Sequence, residues 1–341
     1  MMFFSARLTA FALAALVSAV SLEAAARTWT ITGWSGNSVK PKENRFTEAV
    51  NRASDGDILE LQNDVTVNAN VVIRKRITVK SKDGNHFSIF NEGVSFGTTI
   101  NAGATLIMTN VTYDCHDMRQ IKDVFNLAAQ QVVGGVTNVA RMILMNGATI
   151  QNAYLSSNTR NENAVIHIKT GAVFTMNPGS AILNCKNESQ PGKGGAICCD
   201  YGTVIMTGGT IANCTAKGAG GAIHTDGTRV DSVDNYGINA RGDIYISGGY
   251  ITNNTCGAGF FGGGIYLGNS GPVLHITGTA VISNNHSGVV SDDVSTFNLE
   301  NAWANRLKLV DYHDSHPAGF TYAGQLFTGW VGVRYPDVSQ M

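Results

Sequence analysis

From about residue 58 to residue 290 the chain is a succession of short stretches in which apolar and polar residues alternate, each ended by glycine or asparagine. Alternation with a period of two puts successive side chains on opposite faces of an extended strand, so each stretch predicts a half-buried strand. One unit recurs: Gly, two residues, then a large apolar residue that opens the strand. It reads Gly103-Ala-Thr-Leu106, Gly147-Ala-Thr-Ile150, Gly171-Ala-Val-Phe174, Gly202-Thr-Val-Ile205, Gly242-Asp-Ile-Tyr245 and Gly271-Pro-Val-Leu274. After several copies a glycine turn leads into an Asn-rich corner: Ile182-Leu-Asn-Cys185, Ile211-Ala-Asn-Cys214, Ile251-Thr-Asn-Asn254 and Ile282-Ser-Asn-Asn285. A third element closes each unit: Gly194-Gly-Ala-Ile197, Gly220-Gly-Ala-Ile223 and Gly263-Gly-Ile265. Gly and Asn suit these corners because both tolerate left-handed backbone angles.

A repeat of this kind cannot bury its apolar face alone, but coils stacked about 4.8 Å apart can, each strand bonding to its copies above and below. Asn residues repeated at one corner would then form a hydrogen-bonded ladder. The repeats resemble those of the right-handed β-helix proteins of the pectate-lyase-like superfamily. The Gly-Gly-Ala-Ile copies and Asn-ended corners are also similar to the passenger repeats of polymorphic outer-membrane proteins and other bacterial surface proteins. The resemblance spans roughly residues 40 to 290. It implies an all-β chain, a single-stranded right-handed parallel β-helix, on a superfamily that holds lyases, hydrolases, tailspikes and non-catalytic adhesins.

The ends complete the expected organisation. Residues 1–26 read as a signal peptide: Arg7 gives a positive start, Leu8 to Leu22 a short apolar run, and Ala24 and Ala26 a cleavage pattern before Arg27. Residues 27–62 form an N-terminal cap and first strand, with helical spacing in Arg45-Phe-Thr-Glu-Ala-Val50. Residues 63–290 are the solenoid, and 291–341 a C-terminal closing segment with strand-like alternation from Leu307 to Val310 and from Val331 to Tyr335. No transmembrane segment is expected once the signal is removed, and the product is expected to be secreted or held at a bacterial surface.

Composition narrows the function classes. With 24 basic and 25 acidic residues the net charge is −1, so the chain lacks the basic excess of a nucleic-acid binder. Six cysteines invite disulfides in an exported protein, yet Cys185 and Cys214 share one corner position and Cys198 and Cys199 are adjacent. Stacked parallel side chains fit a disulfide torsion poorly, so buried free thiols are expected.

Candidate chemistry gathers at two places. The spacing from the double glycine to the next strand-opening glycine is 7 residues from Gly195 to Gly202 but 21 from Gly221 to Gly242. This 14-residue insertion, about Thr228 to Arg241, carries Arg229, Asp231, Asp234, Tyr236 and Arg241. Insertions in solenoids project as loops and carry function in many of them. Beside it, Cys198, His224 and Tyr266 each follow the closing Ile (or Gly-Ile), His167 follows Ile166, and Asp200 and Asp226 sit two residues further on. If the isoleucines point inward, these residues stack on an outward face beside an acidic row. Such a face suits a sugar ring. Cys198 with His167 and His224 also offers zinc-type ligands, but no second spacing supports a metal; neither zinc nor calcium is expected, and no catalytic residue is assigned. The cluster Asp311, His313, Asp314 and His316 reads equally well as a polar turn before Pro317.

The expected function is a non-catalytic, exported β-helix with an adhesive or scaffold role, contacting a polysaccharide or a host or cell-surface component. The alternative is a carbohydrate-active enzyme, a polysaccharide lyase or glycoside hydrolase on the same fold.

Overall fold

The computed structural model describes residues 26–31, 45–93, 95–157, 164–190, 192–226, 242–268, 272–288, 290–291, 293–296, 307–310, 320–322 and 325–327. It is a parallel β-helix. Strands of successive coils stack in chain order into four walls. The first wall runs from Thr28–Ile31 through Ile58–Leu61, Arg76–Ser81, Thr105–Thr109, Arg141–Leu144, Val173–Met176, Thr203–Met206, Ile244–Ile246 and Leu274–Thr277 to Leu307–Val310, parallel throughout. The second wall, from Val65–Val67 to Val281–Ser283, follows the glycine turns. The third consists of two-residue strands such as Lys186–Asn187 and Thr215–Ala216. The fourth carries the residues after the double glycine, from Val71–Ile73 to Val294–Thr296, and ends in the antiparallel pair Phe320–Tyr322 and Gln325–Phe327.

The third wall was not legible in the sequence. Two extended residues are too few for alternation to show; the wall exists because the Asn corner and the double glycine both turn the chain. The helix expected near residue 45 forms over Arg45–Arg52, buries Phe46 and Val50, and packs against the first strands. No helix among the described residues is long and apolar enough to cross a membrane.

Register explains the glycines and corrects some of their expected equivalences. The Gly147 copy leads into the second wall, at Thr149–Gln151, rather than the first. On the first wall Phe174 pairs with Val204, not Ile205, and Val204 with Ile244. The strands after Gly202 and Gly242 are therefore shifted by one residue relative to the repeat, and Ile205 and Tyr245 face outward. Tyr201, at φ 63°, takes the left-handed place beside Gly171, whose amide it accepts. In the fourth-wall approach Gly194, Gly220 and Gly262 all have φ near 70°. The second glycine has a different reason: a Cβ at Gly195 would lie 2.0 Å from the Gly221 carbonyl oxygen, and one at Gly221 1.9 Å from that of Gly263. Backbones of neighbouring coils touch there, leaving no room for a side chain.

The corners stack as expected, and the expected ladder of side-chain bonds is seen in part. Asn152, Asn184, Asn213, Asn253 and Asn284 all adopt φ of 55–58°, and Asn213 Nδ2 donates to Asn184 Oδ1 at 3.3 Å. One residue on, the column turns inward: Cys185, Cys214, Asn254 and Asn285 are fully buried. Asn254 Nδ2 donates to Asn285 Oδ1, and Asn285 Nδ2 to buried Asp293. All six cysteines are buried thiols outside any disulfide; the neighbouring Cys214 thiol, together with burial, pushes the Cys185 thiol well above its usual range.

Candidate functional site

The fourth wall carries the site. Its ladder pairs Asn126 with His167, His167 with Cys198, Cys198 with His224, and His224 with Tyr266. Ile166, Ile197, Ile223 and Ile265 form the neighbouring inward column, so the predicted outward alignment is the one observed. Asp200 and Asp226 are likewise paired on adjacent coils. The His224 and Tyr266 rings stack, with centroids 5.3 Å apart.

Exposure is where the site departs from an ordinary wall. Outward residues of a half-exposed sheet alternate with buried ones, and Val71–Ile73, Thr98–Ile100, Phe125–Leu127 and Ile265–Leu267 do so. On the three rungs between them the outward residues are buried too: His167 is 7% exposed, Cys198 0% and His224 4%. Buried polar groups must be paired, and these largely are.

His167 lies between two carboxylates, with Nδ1 3.2 Å from Asp123 Oδ2 and Nε2 2.8 Å from Asp200 Oδ2. Both partners are acceptors, so both ring nitrogens carry protons. Burial opposes that charge, but Asp123 and Asp200 outweigh it and raise the imidazole to about 9. Burial likewise pushes the Asp200 carboxyl upward, and His167 more than compensates, holding it below its usual value. Asp123 also accepts the Ala164 amide through Oδ1 at 2.8 Å, which fixes the carboxylate beside the ring. One coil on, Asp226 Oδ2 accepts from Lys193 Nζ at 2.8 Å and His224 Nε2 at 3.0 Å. These two donors overcome the cost of burial and keep Asp226 well below the usual carboxylate range. Gly268 makes room for it: a Cβ at 268 would lie 2.2 Å from Asp226 Oδ1. The Cys198 thiol approaches Asp200 Oδ1 at 3.7 Å. His224 Nδ1 is buried and makes no hydrogen bond.

Of the predicted site residues, the wall brings Asp200, His224, Asp226 and Tyr266 together. Arg229, Asp231, Asp234, Tyr236 and Arg241 lie outside the described residues, as do the signal segment before Ala26 and the Asp311–His316 cluster. The insertion is visible in the coil lengths: 30 residues separate Phe174 from Val204 and Ile244 from Leu274, against 40 from Val204 to Ile244. The whole coil is thus 10 residues longer, because a shorter path from Val204 to Ile223 offsets part of the 14-residue excess.

Sequence reasoning missed Asp123 and Lys193. Lys193 had a signal, since it precedes Gly194 where the equivalent residues are Ala219 and Phe261; a cation breaking a repeat of apolar residues marks a local charge to be met. Asp123 lies before the double-glycine copies begin and had none.

Among the described residues, one group of three His, Cys, Asp or Glu side chains lies close enough to share an ion. His167, Cys198 and Asp200 place their ligand atoms within 4.8 Å of one another. The surface pocket lined by Val50, Asn51, Val72 and Lys75 lies beside the N-terminal helix and touches none of these residues. No family model matches the chain, and no curated protein or solved structure is significantly similar to it.

Proposed function

We propose that the chain is an exported, non-catalytic β-helix of the pectate-lyase-like type, serving as an adhesin or scaffold at or near a bacterial surface. The observation that carries this reading is the self-sufficiency of the fourth-wall cluster. Asp226 is committed to Lys193 and His224, and Asp123 and Asp200 share His167. A lyase or hydrolase needs carboxylates or bases that reach a substrate; these are turned on one another and mostly buried. A glycan would meet Tyr266, the half-buried ring at the end of the stack, rather than His224.

Export has local support at the N-terminus. The Arg27 amide donates to Oδ1 of Asp57, a buried carboxylate, at 3.1 Å. Cleavage after Ala26 would turn that amide into an ammonium, a stronger partner for the same oxygen. N-terminal sequencing of the exported product should begin at Arg27.

The test of the functional reading is a panel of acidic and neutral polysaccharides, read by unsaturated-product absorbance and by reducing ends. No turnover is expected, with binding to one class weakened by Tyr266→Ala. Robust turnover abolished by Asp226→Ala or Asp200→Ala would replace this reading with the carbohydrate-active enzyme.

A further inference from the structure

The geometry points to a binding site for one divalent metal ion of the zinc class on the fourth wall, with His167, Cys198 and Asp200 as ligands and Asp123 as the positioning partner of His167. It goes beyond the surface role and stands whether or not the protein binds glycans.

An imidazole nitrogen, a thiol sulfur and a carboxylate oxygen, on two neighbouring coils, are the ligands zinc takes; calcium and magnesium take oxygen. Zinc bonds of about 2.0 Å to nitrogen or oxygen and about 2.3 Å to sulfur put tetrahedral donors roughly 3.3–3.6 Å apart. His167 Nε2 lies 2.8 Å from Asp200 Oδ2 and Cys198 Sγ 3.7 Å from Asp200 Oδ1, and with one ligand atom taken from each residue all three lie within 4.8 Å of one another. Small side-chain rotations suffice, and the backbone is already fixed by ladder pairing on both sides.

The surroundings match what a metal-bound histidine needs. A ligating imidazole gives its other N–H to a carboxylate or carbonyl, which sets the tautomer and the ring plane. Asp123 holds His167 Nδ1 in that way and is itself anchored by the Ala164 amide. Charge balances as well. Binding zinc releases one proton from His167 Nε2 and one from the Cys198 thiol, so two positive charges leave and two arrive. On the next rung His224 pairs with Cys198 in the ladder, is 4% exposed and has a buried Nδ1 that makes no hydrogen bond, but it lies outside the group whose ligand atoms come within 4.8 Å of one another. On the other side of His167, Asn126 Oδ1 is also buried without a hydrogen-bond partner.

The test uses the full exported chain, stripped with a chelator and dialysed against zinc alone. One equivalent of tightly held zinc per chain is expected. Failure of the folded chain to retain a stoichiometric equivalent would overturn the proposal. Cys198→Ser should weaken binding at least 100-fold while Cys199→Ala, a change on the inward face of the same strand, leaves it intact; equal loss in both, or in neither, would overturn it. Should Cys198→Ser fail to fold, X-ray absorption of the zinc-loaded wild type decides. A sulfur at about 2.3 Å in the coordination shell supports the site, and a shell of nitrogen and oxygen alone rejects it. Asp123→Asn should cost roughly 10- to 100-fold in affinity, and unchanged affinity would remove Asp123 from the assignment. Retention of zinc without polysaccharide binding, or the reverse, separates this proposal from the functional one.

Discussion

The first and fourth walls are built by the same coils, yet their outer faces differ. On the first wall burial alternates in every strand from Ile58–Leu61 to Leu274–Thr277, so the outward residues remain at least partly wetted. On the fourth, three consecutive rungs bury both faces, and there the outward column is His167, Cys198 and His224 with Asp200 and Asp226 beside it. The lesson is that the repeat dictates the inward residues and leaves the outward ones free. Where an outward column is nonetheless buried, its polar groups must be matched one by one, and the wall acquires chemistry that the repeat does not require.

Single substitutions should separate the two walls. The largest effect is expected at the backbone contact leading into the fourth wall. Gly221→Ala forces a Cβ against the Gly263 carbonyl and the Thr255 backbone and should cost on the order of 4 kcal/mol in urea unfolding; wild-type stability would mean that neighbouring coils do not touch there. Next comes the charge network. Asp226→Ala removes the buried carboxylate that Lys193 and His224 share and should cost on the order of 3 kcal/mol, whereas the outward first-wall change Ile205→Thr should stay within about 0.5 kcal/mol. Equal costs would erase the distinction between the walls.

The pH profile of the metal-free protein should separate the walls as well. His167 ionises at about 9 in the fold against 6.5 in the unfolded chain, so its contribution is complete below pH 6.5 and lost as pH rises through 9. Asp200 and Asp226 are held below 3.8, so theirs is present above that value and lost as acid passes below it. Stability should therefore peak from roughly pH 4 to 6.5 and decline by up to about 3 kcal/mol towards alkaline pH. Thermal melts of His167→Gln should lack the alkaline decline; an unchanged slope would place its origin elsewhere. A small coupling is expected between the first wall's own ring pair, Tyr245 and His275, stacked at 4.4 Å. A double-mutant cycle should return a coupling of about 0.5–1 kcal/mol, and zero coupling would make the stack incidental.

The inward half of this molecule was readable because its signal is repetitive: Ile197, Ile223 and Ile265 announce one column, and the asparagine corners another. Outward positions were readable only by inheritance from that register, which worked for His167, Cys198, His224 and Tyr266 on the fourth wall. It failed by one residue on the first, where Tyr201 rather than Gly202 takes the left-handed place beside Gly171 and Tyr245 consequently faces out. Burial of the fourth-wall column was not legible at all. A sequence pattern gives the direction of a side chain along a strand, not whether another part of the chain lies over it. Lys193 and Asp123 illustrate the same limit, because each acts across coils on residues 33 and 44 positions away.

The uneven coil has a practical consequence. Ile223–Asp226 and Ile244–Ile246, on either side of the extra residues, pair with their neighbours as every other rung does. Lengthening a closed turn from 30 to 40 residues adds only about 0.3 kcal/mol of closure entropy. This joint is therefore a natural graft point, where a peptide epitope, a tag or a second small domain can be spliced into the wall while the ladder on both sides keeps its register.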